Sequence, residues 1–190
     1  MSVVVSNPRI NKDKAKAAVL FILQELKTAD FIRIFKILYF AEREHLVKWG
    51  RPITFDKYIA MEHGPVPSVI FDVFKALRGD GFKSSQLEGL YDGFEVINKY
   101  EVRPLEKVDV DQLSLSDIDC LNKSIVENRD LSFGELSDKS HGYAHNHSAK
   151  DDMMSFLDIA IEGGADEEML KYITSTLENN AIFSQDNAVG

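Results

Sequence analysis

A chain of 190 residues, 44% hydrophobic and 28% charged, has the size and make-up of one folded domain with a real core, which excludes wholesale disorder. Its formal net charge of -9, from 31 acidic and 22 basic residues without a dense Lys/Arg run, sets general repulsion against a phosphate backbone, so no nucleic-acid partner is expected. The lone cysteine (Cys120), the opening MSVVVSNPRINKDK with no basic leader, and apolar runs far below the ~20 residues of a membrane span give a cytoplasmic expectation with no membrane partner.

Met1 to Ile10 reads as an irregular or strand-like lead-in. Asn11 is placed to cap a helix over Lys12 to Lys27, whose Ala15, Ala18, Val19, Ile22, Leu23 and Leu26 recur at helical spacing. After a break at Thr28 to Asp30, the spacing predicts a second helix over Phe31 to Lys48. Its first half, FIRIFKILYFA, leaves only Arg33 and Lys36 for solvent, so it belongs in the middle of the domain with Leu38 almost fully buried. Gly50 stops it. Arg51-Pro52 forces a turn, Asp56 to Met61 reads as extended, and Gly64-Pro65-Val66-Pro67 leads into a third helix ending near Arg78.

Phe82 to Tyr91 reads as loop or weak helix. Phe94, Val96, Tyr100 and Val102 alternate around Asn98-Lys99, which predicts a small β-hairpin. Ser116, with Asp119 three residues on, is read as the cap of a helix to Asn128, and Ser132 with Glu135 as a capping box for a short helix. A histidine-rich loop precedes a helix over Asp151 to Glu162, with Met154, Leu157 and Ile161 inward, closed by Gly163-Gly164. Asp166 opens a last helix carrying Leu170, Ile173 and Leu177, and Ser184 to Gly190 is read as a frayed tail. The fold class is therefore mainly α: a single-domain helical bundle built round a buried second helix, with a small β-hairpin insertion.

Three groups invite a chemical reading. His141, His145 and His147 lie in SHGYAHNH, and His141 and His145 are spaced to share a helix face as zinc ligands do. Gly142 weakens that helix, and no HExxH or cysteine pair accompanies it, so exposed or hydrogen-bonding histidines are the plainer account and no metal is assigned. Glu42 and His45 can pair on one helix face, either for acid–base work or as a structural bond. Cys120 sits in an apolar helical pattern and reads as a packed thiol rather than a nucleophile. No catalytic residue and no cofactor are assigned.

The stretch from Trp49 to Pro67 reads as a rigid platform. Pro52, Pro65 and Pro67 restrict the free chain, so less entropy is lost when a partner docks. Trp49, Arg51 and Tyr58 are favoured interface anchors, Asp56 and Glu62 complement a basic partner, and Gly64 sets the shape of the turn. The competing account puts the whole stretch in the core, with Arg51 paired to Asp56 or Glu62.

KILYFAEREHL in the second helix, GRPIT after it, the spacing of Asp56, Tyr58 and Ala60, and GPVPS before the third helix resemble the Panacea, or SocA-like, antitoxin domain family. LSLSDIDCLN and LSFGELSDKSH are similar to that family's second half, so the likeness runs from about Ala15 to His147. Near His145, where the family commonly has an aromatic, often tryptophan, this chain has the polar AHNHSA. The resemblance implies a mostly α-helical fold. It also implies an antitoxin, often carried on prophages or mobile elements, that binds a cognate protein toxin and in some members serves as an adaptor for a protease, here of AAA+ type. Residues 1–148 are then the antitoxin domain and 149–190 are C-terminal helices packed on it. Two other readings stay open: a histidine-ligated metal-dependent hydrolase, and a promoter-binding regulator.

Overall fold

A computed structural model describes residues 9–186. The lead-in expected before Arg9 and the last part of the expected tail, after Asp186, lie outside the described residues. Among those described, eight α-helices and five short strands follow one another: α1 (Lys12–Leu26), β1 (Ala29–Asp30), α2 (Phe31–Trp49), β2 (Tyr58–Met61), β3 (Gly64–Pro67), α3 (Ser68–Arg78), β4 (Phe94–Ile97), β5 (Glu101–Pro104), α4 (Leu115–Asn128), α5 (Phe133–Ser140), α6 (Tyr143–His147), α7 (Phe156–Gly163) and α8 (Glu167–Asp186). The fold is mainly α with a small hairpin.

Helix α2 is the spine. Every residue from Ile34 to Ala41 is buried, Leu38 at 0% exposure, because both sides of the helix meet protein. Its N-terminal half packs with α1, α3 and the β4–β5 hairpin, and its C-terminal half with α5, α7 and α8. Asp30 opens it by accepting from the Arg33 amide at 2.9 Å, and Gly50 closes it at φ +67, a left-handed stop that costs glycine little. Lys36, expected at the surface, is fully buried: it lies where β3 crosses the helix, and its ammonium donates to the Pro65 carbonyl at 2.8 Å.

The prolines of GPVP lie inside a strand. β2 and β3 pair antiparallel through a two-residue turn, Glu62-His63, with Tyr58 opposite Pro67 and Ala60 opposite Pro65. At those two pairs the β2 backbone bonds the other way: the Ala60 amide donates to the Asp152 carbonyl at 2.9 Å and the Met154 amide to the Tyr58 carbonyl at 2.8 Å. The prolines therefore stand where the ladder needs no donor. The same bonds hold residues 151–154 beside β2 as a turn followed by a single bridge, Met153 opposite Ile59. That is why α7 begins at Phe156 rather than Asp151, and why Ile161 ends 40% exposed instead of inward.

The β4–β5 hairpin has the expected strands, with Ile97 opposite Glu101. Its turn takes three residues, Asn98 to Tyr100, so Tyr100 sits at the tip and is 51% exposed rather than in the strand. β5 also pairs with β1, giving the sheet order β1-β5-β4. Helix α4 is capped two residues earlier than expected. Ser114 and Asp117 form the capping box, not Ser116 and Asp119, because Ser116 and Asp117 turn inward to His45. The Ser132–Glu135 box opens α5, and the histidine-rich segment forms the short helix α6.

Candidate protein-docking site

Buried polar side chains hold the connection between α2 and α3. The Glu42 carboxylate, at 0% exposure, accepts from the Ile53 amide at 2.5 Å, the Thr54 amide at 3.0 Å and the Thr54 hydroxyl at 2.5 Å. Burial pushes its pKa up, and those bonds pull it back. His45 Nδ1–H donates to the Arg51 carbonyl at 2.7 Å, so α2 fixes the turn that follows it with two of its own side chains. Asp56 accepts from the Val69 and Ile70 amides, each at 3.0 Å, and so caps α3 from a distance, where Pro67 has no side-chain donor or acceptor to do so. Burial lifts the Asp56 carboxyl to about 6, against the amide bonds. Burial likewise lowers Lys36 to about 7.

The His45 ring does not pair with Glu42. Its Nε2 faces Ser116 Oγ at 3.0 Å and Asp117 Oδ1 at 3.1 Å. Asp117, its side chain at 0% exposure, also takes Lys14 at 2.5 Å and Arg51 at 3.2 Å. Burial alone would raise the Asp117 carboxyl; hydrogen bonds from His45, Lys14 and Ser114 overcome it and hold the group well below the usual carboxylate range. Arg51 is thus paired internally, as the core account required, but with Asp117 on α4 rather than with Asp56 or Glu62.

Of the nine residues expected on a partner surface, Pro52, Asp56, Tyr58, Gly64, Pro65 and Pro67 are buried. They shape the connection from within. Tyr58 packs its ring on Tyr39, with centroids 5.3 Å apart, and lies at 0% exposure. Trp49 and Glu62 are exposed, and Arg51 is partly so. These three do not form one patch in sequence: Trp49 and Arg51 stand at the end of α2, and Glu62 at the β2–β3 turn.

The histidines do not converge on one point. The His141 and His145 rings lie 4.4 Å apart, but Nε2 of His141 faces the Glu62 carbonyl at 3.1 Å and Nε2 of His145 the Met61 carbonyl at 2.9 Å. His147 Nδ1 lies 3.2 Å from the Tyr143 carbonyl. Two of them clasp the β2–β3 turn. Among the described residues no group of three His, Cys, Asp or Glu side chains is arranged to hold a metal ion.

That turn forms one wall of an open groove of about 810 Å³. Phe31, Phe35 and Val66 form its buried floor, and half-exposed Tyr100 and Phe133 stand at its margin. Tyr100 lies beside Phe31 and Arg78, and Phe133 beside His63, with ring centroids 5.1 Å apart. The sequence places Tyr100 in the hairpin and Phe133 in the short helix after Ser132, and gives neither a binding role. The signal was a large aromatic at a hairpin tip and another directly after an N-cap, both positions that a turn or helix start tends to leave in solvent. A site of this make-up, apolar with a few charged groups at its edge, suits binding more than bond chemistry.

No helix among the described residues is long and apolar enough to cross a membrane. No curated protein and no solved structure matches the chain. A family model described as the SocA-like antitoxin, Panacea domain, matches residues 34–145, more than half of the chain, from within α2 into α6. The match starts inside α2, later than the resemblance, which began at about Ala15 in α1. It takes in the connection, the β4–β5 hairpin and most of the groove lining, leaving out Asp30, Phe31 and Ile32. The chain belongs to the SocA-like antitoxin, Panacea domain family.

Proposed function

We propose that the protein is an antitoxin that binds a cognate protein toxin and neutralises it by direct occlusion. The observation that carries this reading is the family match over residues 34–145, which spans most of the elements around the apolar groove. A rigid connection and an open apolar groove suit a protein that binds by shape, since little ordering entropy is lost on docking. Delivery of the bound toxin to an AAA+ protease is a further role of the same complex. Residues 1–148 form the antitoxin unit in this reading, and 149–190 stiffen it by docking α7 on α2.

Trp49, Arg51 and Glu62 remain the partner-facing residues of the connection. The six buried residues act through them by holding the backbone in place. Co-expression tests the function: cells making the toxic product of the adjacent gene grow when this chain is supplied. Growth arrest that the chain never relieves, at equal or higher expression, would overturn the antitoxin reading. Arg51→Ala separates surface from core. A folded variant that no longer rescues places Arg51 at the interface, and a destabilised one leaves it as support for Asp117.

A further inference from the structure

We infer that the groove between α2, α3, α5 and the two hairpin turns receives an apolar helical segment of the toxin that carries a basic residue beside its apolar stripe. The inference rests on the antitoxin reading and names the chemistry of the partner. Phe35 and Val66 hold the floor rigid from within, and the partly exposed Ile32, Met61 and Phe71 offer the apolar surface that a docking side chain would cover. Tyr100 and Phe133 add large, rigid, half-exposed rings at the margin, which is the kind of side chain that carries binding energy.

A helix fits better than an added strand. Strand addition needs a free edge with alternating donors and acceptors. β3 presents Pro65 and Pro67, which have no donors, and the Pro65 carbonyl already accepts from Lys36. The outer side of β2 is bonded to residues 151–154. Side chains inserted from a helix need no such edge.

The charge at the β2–β3 end of the groove favours a basic residue on the partner there. Arg78 pairs with Asp80 at 2.7 Å and Arg33 lies 3.5 Å from Asp30. The Lys99 ammonium rests over the Tyr100 ring at 5.4 Å. Glu62 is exposed, and among the described residues its carboxylate meets no cation. A lysine or arginine next to the apolar stripe would meet that carboxylate. The chain's net charge of -9 would speed the encounter.

The experiment uses the full chain and two synthetic amphipathic helical peptides of leucine and phenylalanine, one with lysine on its polar face and one with glutamate. Fluorescence polarisation should show the lysine peptide binding roughly tenfold or more tighter than the glutamate peptide. Glu62→Lys should reverse that preference. Phe133→Asp should weaken both peptides, and Glu88→Lys, exposed and outside the groove, should change neither. Equal effects of Glu62→Lys and Glu88→Lys, or peptide binding untouched by Phe133→Asp, would overturn the inference. A cellular arm separates it from the reading it rests on. If the wild-type chain rescues cells and the Glu62→Lys, Phe133→Asp double variant, folded by circular dichroism, rescues equally well, the groove is not the docking site and the antitoxin reading survives. If the wild-type chain fails to rescue, the antitoxin reading fails, and with it the identification of the groove's partner as a toxin.

Discussion

Lys36 and Asp117 are two buried charges with opposite fates. Asp117 gathers Lys14, Arg51 and the His45 ring, and its carboxylate is stabilised. Removing it strands His45 and the ends of Lys14 and Arg51, so Asp117→Ala should cost about 3–5 kcal/mol, the range for breaking a buried pair from one side. Chemical denaturation reads this directly. Arg51→Ala should cost far less, because its side chain is 30% exposed and water replaces part of what is lost. Lys36 has a carbonyl and no carboxylate, and burial lowers it from 10.5 to about 7. Below about 7 it is charged in both folded and unfolded chains, and the folded state bears the full desolvation penalty. Between about 7 and 10.5 only the unfolded chain holds the proton, so this group's contribution becomes less unfavourable as pH rises. Lys36→Met should therefore melt above wild type at pH 6, by a margin that shrinks toward pH 9. A margin constant across that range would show that Lys36 does not titrate as its burial implies. Neither role is legible in the sequence. A lysine in FIRIFKILYFA reads as the polar edge of a helix, and only β3 crossing above it makes the position interior.

Helix α2 decides the packing of both halves of the molecule. Leu38→Ala should cost roughly 2–5 kcal/mol, the usual range for truncating a fully buried leucine, and an unchanged melting temperature would remove α2 from that role. The β2–β3 turn is the second such element. Gly64 has φ +93, and a β-carbon there would stand 2.2 Å from Ser140 Oγ and 2.8 Å from Lys36 Nζ. Gly64→Ala therefore meets backbone strain and a clash together, and should lower the melting temperature while leaving α-helical circular dichroism intact at low temperature. What the sequence disclosed at this scale was local. α1, α2 and α3, the Ser132–Glu135 box and the β4–β5 strands follow from spacing and capping chemistry within a few residues. What it hid was set by distant partners. Ser114 and Ser116 stand two apart with acids three residues on, and only His45 across the core, which takes Ser116 and Asp117, leaves Ser114 as the cap and Asp119 in solvent. Asp151 to Met154 is polar enough to start a helix, but β2 captures its backbone first.

At the scale of the whole molecule, a rigid connection, an apolar groove and an acidic surface converge on one use. The sequence located the connection through its prolines and its family pieces. It did not say which side faces out, because burial of Asp56 and Tyr58 depends on α3 and Tyr39 closing over them. The groove was less legible still: its lining comes from separate elements and has no contiguous motif. The central claim is that the chain inactivates a toxin by covering it. The measurement that tests this most directly is titration of the purified toxin's activity with the purified chain, with no protease and no nucleotide present. The account predicts activity falling in proportion to added chain until none remains, with a stable complex on gel filtration. Full toxin activity in a mixture that contains the chain in excess, with rescue seen only in cells that hold a protease, would contradict it.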